Sequence, residues 1–428
     1  MPEHRKTSIK LVGLASLIGT TIEWYDFFLY GTAAALVLNQ LFFPTFDPFV
    51  GTLASMATYA VGFFARPLGG VVIGHFGDKI GRKSMLVFTL MLMGVATFLI
   101  GLLPTYKQLG PFAAVLLVML RIAQGFGVGG EWGGAVLMAV EHAPPGKRGF
   151  YGSWPQMGVP LGLLLSTVVY APFARLPQVD FLAWGWRVPF LLSIFLVGVG
   201  LLIRIRILET PAFERMKENR EESRQPLMEV LRRYPREVLI AMGARLVENG
   251  AFYLYTVFVL IYAVQHVHMD RNIVLTALML AAALEVIALP LFGALSDRIG
   301  RRPVYLIGAV ATTCLAYPAF WLFDTASPAL VQLSLVLALA VGHAAMYGPQ
   351  AAFFSELFGA KVRYSGASLG AQLSSVIAGG LSPIIATALL KWGYGRGAIA
   401  LYIFGMGTIT IFSVLMAKET HLQDIQKA

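Results

Sequence analysis

"GHFGDKIGRK" (Gly74 to Lys83) closes one apolar run of this sequence, and "GALSDRIGRR" (Gly293 to Arg302) closes another, 219 residues later. The two stretches carry Gly, Asp, Gly and a basic pair at the same spacing. A second pair, "PGKRGFYGS" (Pro145 to Ser153) and "GAKVRYSGAS" (Gly359 to Ser368), recurs at a nearly equal offset. Self-similarity at so long a period means one structural unit written twice. Working outward from the repeats, each unit holds six apolar runs: 14–38, 50–74, 84–103, 112–140, 153–174 and 187–208 in the first, and 238–265, 273–296, 303–323, 329–355, 365–390 and 398–417 in the second. Each is about 20 residues or longer, enough to cross a bilayer as a helix.

Composition agrees with that reading. The 428 residues are 57% hydrophobic with a mean hydropathy of +0.70, more than a water-facing surface allows. Closed barrels also satisfy their backbone in lipid, but they need strands of about ten residues with alternating polarity, and these runs do not alternate. The expected fold is an all-α integral membrane protein of twelve transmembrane helices in two six-helix pseudo-symmetric halves: 1–203, a charged central loop over 204–237, and 238–428.

The net charge of +10 is not a nucleic-acid footprint, because most Lys and Arg fall in the N-terminus, alternate loops, the central loop and the C-terminus. That distribution predicts cytoplasmic termini. "MPEHRKTSIK" is followed by a run too long and too acidic for a signal peptide, so a retained first helix is expected. A single cysteine, Cys314, excludes an internal disulfide.

Ionisable side chains inside such runs are expensive and mark function or pairing. In "TTIEWYDFFLYG" (Thr20 to Gly31) Glu23 and Asp26 share a helix face with Gly19 and Tyr30. Counted from Leu14 they lie roughly 13 and 18 Å along the axis, near the midplane. Burial and a nearby cation push a carboxyl in opposite directions, so a site that alternates between them can load and release a proton. Arg66, Arg121 and Arg245 have similar depth. Guanidinium groups stay charged and grip carboxylates through a planar fork, which suits an organic anion. Arg245 and Glu248 are spaced to pair at i, i+3. Asn249, Tyr253 and Thr256 of the seventh run, His343, Tyr347 and Gln350 of the tenth, and Gln372, Ser374 and Ser375 of the eleventh offer hydrogen bonds to a hydroxylated substrate or to neighbouring helices. Glu131 reads as structural, and Glu285 has no assignment.

The G-x-x-x-D-x-x-G-R-[RK] repeat resembles the signature of the major facilitator superfamily. "EWYDFFLYG", "RPLGG" (Arg66 to Gly70), "RIAQGFGVGGEWGGA" (Arg121 to Ala135), "WGWRVPFL" (Trp184 to Leu191) and "RILETPAF" (Arg206 to Phe213) are similar to its metabolite:proton symporter branch, most of all to shikimate-type members. The resemblance implies proton-coupled uptake of a small polar organic acid across the bacterial inner membrane, by a monomer without cofactor or metal. It implies that Arg121 pairs with Asp26 or Glu23 for proton coupling, and that Arg66, Gln124 and Tyr30 join the substrate set. Gly74, Asp78, Gly81 and Arg82, with Gly293, Asp297, Gly300 and Arg301, would form a gate that latches the cytoplasmic side. An uncoupled facilitator or exchanger, and a proline or betaine carrier, remain open. A membrane enzyme is the distant alternative, since the sequence has no metal cluster, nucleophile elbow or phosphate loop. "GFGVGG" lies inside a spanning run with no preceding strand, so it reads as close helix packing.

Overall fold

A computed structural model of the protein describes residues 9–80, 82–129, 132–206, 230, 232–358 and 363–423. The long helices are α1 (Ile9–Leu36), α2 (Pro48–Ile80), α3 (Arg82–Leu102), α4 (Phe112–Gly129), α5 (Arg148–Ala174), α6 (Arg187–Arg206), α7 (Pro235–His266), α8 (Arg271–Ile299), α9 (Arg301–Asp324), α10 (Pro328–Glu356), α11 (Arg363–Ser374, Ser375–Gly380 and Leu381–Lys391 end to end) and α12 (Gly395–Met416). A shorter helix, Trp132–Glu141, follows α4, and no strand occurs among the described residues. Ten of the described helices are long and apolar enough to cross a membrane. α1 and α3 fill the first and third apolar runs.

The bundle is apolar outside and mixed inside. Leu68, Phe195, Leu291, Leu401 and Phe412 point outward and exposed, as a lipid-facing belt requires, while Asp26, Arg66, Arg121, Arg245, Glu248 and Glu285 are buried. α7 is central: 94% of its most apolar window is covered by protein. Its end is not regular α-helix, because Leu254–Phe258 and Tyr262–His266 are π-helical turns. The same wider turn occurs over Leu337–His343 in α10 and Ser375–Gly380 in α11. Such turns are favoured where side chains must be re-aimed at a functional position.

Glycines set the helix spacing on the α2 side. A Cβ at Gly125 would lie 2.0 Å from the Gly62 carbonyl oxygen, and one at Gly129 would lie 1.9 Å from that of Arg66. The two backbones therefore touch, as "GFGVGG" and "RPLGG" lead one to expect.

The repeated motif is less of a loop than the sequence suggests. α8 continues through Gly293 and Asp297 to Ile299, and the chain breaks only at Gly300, whose φ of +105° needs a residue without a Cβ. α2 likewise runs on through Gly74 and Asp78 to Ile80. The side chains of Asp78 and Arg82, together with Gly81 and Glu131, lie outside the described residues.

Candidate functional site

Arg66 on α2 and Arg121 on α4 are both buried, and neither has a carboxylate partner among the described residues. Aromatic rings take that place. The Arg66 Cζ lies 4.3 Å from the Phe63 centroid and 4.4 Å from Phe27. The Arg121 Cζ lies 4.3 Å from the same Phe27 ring, 4.4 Å from Tyr30 and 4.9 Å from Tyr59. A desolvated guanidinium over a ring face gains about 2 kcal/mol, which offsets part of its burial cost without cancelling its charge. Gln124 holds Arg121 in place, with Oε1 accepting from Nη1 at 3.1 Å while its amide donates to Thr97 Oγ1 at 2.7 Å. Tyr30 donates to Thr58 Oγ1 at 2.5 Å, which fixes the ring beneath the guanidinium.

A narrow cleft lies between the helices, bordered by Glu23 and Trp24 from α1, Arg66 from α2, Gln156 from α5, Arg245 from α7 and Gln372 with Ser375 from α11. It contains two guanidiniums, one carboxyl and two amides. Nε and Nη2 of Arg66 are buried without a hydrogen-bond acceptor. An aromatic layer adjoins the cleft, in which Phe27 packs 5.1 Å from Phe63 and Tyr253 packs 5.0 Å from Phe63, ring centre to ring centre.

The second half carries its own charged cluster. Arg245 Nε lies 3.5 Å from Glu248 Oε2, the i, i+3 pair that the spacing predicts. Glu248 Oε1 lies 3.0 Å from His343 Nε2, and its Oε2 accepts from Gln350 Nε2 at 2.9 Å. On the other side of the imidazole, Nδ1 is in hydrogen-bond contact with Glu285 Oε1.

At one end of the bundle the repeated segments meet across the seam. Asp297 of α8 accepts from the backbone N–H groups of Gly149 (2.8 Å) and Phe150 (2.9 Å), so it caps the N-terminus of α5. Backbone contact makes this possible, for a Cβ at Gly149 would lie 2.3 Å from the Gly293 carbonyl oxygen. Arg301 binds Asp297 at 2.7 Å and grips both oxygens of Glu356 at 3.2 Å. Two further ion pairs cross the seam reciprocally, Arg148 to Glu356 (3.7 Å) and Arg363 to Glu141 (3.5 Å). Arg148 and Arg363 are the arginines of the second repeated pair of segments.

With this geometry in view, comparison with known proteins is decisive for the class. The profile of the Major Facilitator Superfamily matches residues 16–383. The chain belongs to that superfamily. The shikimate transporter of Escherichia coli (strain K12) is 42% identical over 411 residues, covering 95% of this chain and 94% of the relative. The inner membrane metabolite transport protein YhjE of the same organism is 40% identical over 418 residues, covering 96% and 94%. A proline/betaine transporter from it is 34% identical over 419 residues, covering 95% and 83%. Among solved structures, the proton:xylose symporter XylE superposes with a TM-score of 0.78 at 16% identity, over 97% of each chain, which speaks for the fold alone. The protein is thus a multi-pass inner-membrane transporter and not an enzyme.

In this superfamily member one expectation needs correction. Arg121 does not pair with Asp26 or Glu23: its neighbours are rings, Gln124 and the Tyr59 carbonyl at 3.4 Å. Asp26 is buried with Oδ1 unmet and has no cation within ion-pair distance among the described residues. The physical reason is that Phe27, Tyr30 and Tyr59 occupy the space around the guanidinium. Glu23, Arg66, Arg245 and Gln372 border the cleft, whereas Asp26, Tyr30, Arg121 and Gln124 do not. Asn249 stands apart from the cleft with Oδ1 unmet, Tyr253 belongs to the aromatic layer, and Tyr347 stacks on His343 at 4.9 Å.

Other groups of the transporter escaped sequence reasoning. Phe27 and Tyr59 read as ordinary core, because an aromatic residue on an apolar helix carries no mark of a cation beside it. Glu285 was unassigned, its partner His343 being 58 residues away on another helix. Glu356 and Arg148 had a usable signal, since Arg148 and Arg363 occupy matching places in the repeated segments.

Proposed function

We propose that this protein is a proton-coupled symporter that takes up a small polar organic acid, such as shikimate or a related carboxylate, by alternating access. Twelve spans with both termini cytoplasmic form two six-helix units, 1–203 and 238–428, joined by 204–237. The units rock about the cleft in a monomer, and the Asp297 and Arg301 cluster latches one side. The observation that carries the substrate class is Arg66, a buried cation bordering the cleft with two unmet donors and no carboxylate partner among the described residues. Arg245 adds a second guanidinium to the lining. The 42% identity to a shikimate transporter supports the same class. Asp26, buried and without an ion-pair cation among the described residues, is the proton carrier, with Glu23 beside the cleft and Arg121 as the fixed positive charge. The drive available is about 2.3 kcal/mol per charge per 100 mV plus about 1.4 kcal/mol per pH unit.

One observation favours a second substrate. Glu23 and Trp24 border the cleft with Arg66, so a zwitterion would find a carboxylate and a ring face for its cationic end, in line with the proline/betaine relative.

Proteoliposomes with an inward proton gradient test the reading. The wild type should accumulate labelled shikimate and take up protons with it. Asp26→Asn should lose accumulation while retaining shikimate exchange. Shikimate flux without proton flux would make the protein a facilitator, and gradient-driven accumulation by Asp26→Asn would remove Asp26 from the mechanism.

A further inference from the structure

The contacts of His343 contain a hydrogen count. Both ring nitrogens face carboxylate oxygens, Nε2 toward Glu248 at 3.0 Å and Nδ1 toward Glu285. A neutral imidazole has one N–H and one lone pair, and an ionised carboxylate has only lone pairs. Two such contacts therefore need two hydrogens. One comes with the neutral ring and the other is an additional proton, held on the ring or on a carboxyl. With Arg245 beside Glu248, the four groups sum to zero charge when that proton is present and to −1 when it has left.

We infer that Glu248, His343 and Glu285 form a second proton-carrying site of the transport cycle, in the opposite half from Asp26. This rests on the proposed proton-coupled uptake of an organic acid and adds to it. Glu285 Oε2 is buried with no hydrogen-bond partner, so the oxygen pair facing the imidazole includes an unmet acceptor that a proton can occupy. The groups facing the triad are Arg245, Glu248 and Tyr253 from α7, Glu285 from α8, Tyr305 from α9 and Tyr347 from α10. Tyr305 shares the Gln350 amide with Glu248, its hydroxyl lying 3.0 Å from that nitrogen. The Phe252 ring covers the imidazole at 4.3 Å, which keeps water from its face. The π-helical turn Leu337–His343 ends on the histidine itself, so the ring sits where α10 departs from regular geometry.

Arg245 connects the site to the substrate. It pairs with Glu248 and also borders the cleft. A substrate carboxylate that engages Arg245 draws the cation away from Glu248, and Glu248 then holds the imidazole hydrogen more firmly. Substrate and proton each strengthen the binding of the other, the sign that symport requires, and linkage makes the effect reciprocal. When the substrate leaves, Arg245 returns to Glu248 and the additional proton is released.

Two measurements test the proposal. In lipid nanodiscs without ligand, 15N-histidine spectra of the wild type, with His343 identified by its loss in His343→Gln, should show both ring nitrogens protonated at pH 7.5. Glu285→Gln should remove that pattern near neutral pH. A neutral single tautomer in the wild type at pH 7.5, or an unchanged pattern in Glu285→Gln, overturns the inference. In proteoliposomes with shikimate, His343→Gln and Glu285→Gln should retain exchange but lose at least half of the protons moved per shikimate. An unchanged proton count in both variants overturns the second site while leaving Asp26 in place. If the wild type moves no protons with shikimate, the symport reading fails, whereas the spectra still decide the protonation of the triad.

Discussion

Replacing Arg66 with Met separates stability from function. Arg66 is 3% exposed, with Nε and Nη2 unmet and no carboxylate partner among the described residues. Removing a cation from water costs several kcal/mol. The Phe63 and Phe27 rings at 4.3 and 4.4 Å each return at most about 2 kcal/mol. On the order of 1–3 kcal/mol is left unrecovered, the size of gain found when buried ions yield to apolar groups of similar volume. Met fills a similar space and stacks on the same rings. Arg66→Met should therefore raise the unfolding temperature of ligand-free protein. Binding should move the other way. Two charge-assisted hydrogen bonds to a substrate carboxylate, at about 1.5–3 kcal/mol each, are worth at least about a 100-fold change in affinity. The assay is thermal unfolding in detergent with and without shikimate, with the KM for shikimate exchange measured in parallel. A lower melting temperature without ligand, or an unchanged KM, would refute the idea that Arg66 is an unpaired cation kept for an anionic substrate.

Asp297→Ala should open the seam. It removes the acceptor of the Gly149 and Phe150 N–H groups and a partner of Arg301. A helix cap alone is worth about 1 kcal/mol, so the population open at that end should rise at least about fivefold, read as cysteine accessibility along α5. Gly129→Ala places a methyl 1.9 Å from the Arg66 carbonyl oxygen. α2 and α4 must separate, and overpacking of about 1–3 kcal/mol should lower both the melting temperature and the yield of folded protein, whereas Gly198→Ala, with open space around it, should not. Glu419, beyond α12, has its carboxyl pushed up by burial, but the backbone N–H groups of Arg301, Arg302, His421 and Thr420 outweigh this and hold it below the usual carboxylate range. A depressed pKa in the docked state means docking is fully supported above the ordinary carboxylate pKa and fades as pH falls through the lowered value. Limited proteolysis of the C-terminal segment should be unchanged from pH 7 to about 5, and should become faster at neutral pH only in Glu419→Gln.

The helix plan was legible because lipid enforces it. Apolar runs of spanning length, a repeat at 219 residues, and glycines at "GFGVGG" each have one physical meaning in a bilayer, and α2 and α4 touch where those glycines predict. The Arg245 to Glu248 pair was legible too, since i, i+3 spacing on one helix is local information. The remainder of the site depends on which helices are neighbours and how they are rotated, and sequence spacing carries neither. Arg121 shows the difference. Its depth marks it as functional, but whether Asp26 or a set of rings surrounds it is decided by the packing of α1 and α2 against α4. Asp297 shows a milder case: its place in the repeated motif was readable, but the helix it caps, α5, lies 147 residues earlier in the chain.

The separation of Asp26 from Arg121 restricts how the proposed proton coupling would work. Were the two paired, protonation of the acid would release the cation directly and one contact would carry the coupling. In the arrangement seen, the Arg121 charge rests on Phe27, Tyr30 and Tyr59, and Phe27 is also the ring under Arg66. On the proposed mechanism, a proton arriving at Asp26 would act on the two guanidiniums without exchanging an ion-pair contact. Such an effect reaches a substrate only if the two bundle arrangements differ in how they surround these groups, because a ligand shifts a conformational equilibrium only by its differential affinity for the two states. Phe27 is the element through which that difference can be transmitted: it is shared by Arg66, which borders the cleft, and by Arg121, and it packs against Tyr253 of α7. On the proposed alternating-access mechanism, movement of α1 against α7 would displace one ring that both cations rest on, so the rocking of the halves and the electrostatics of the site would be a single event.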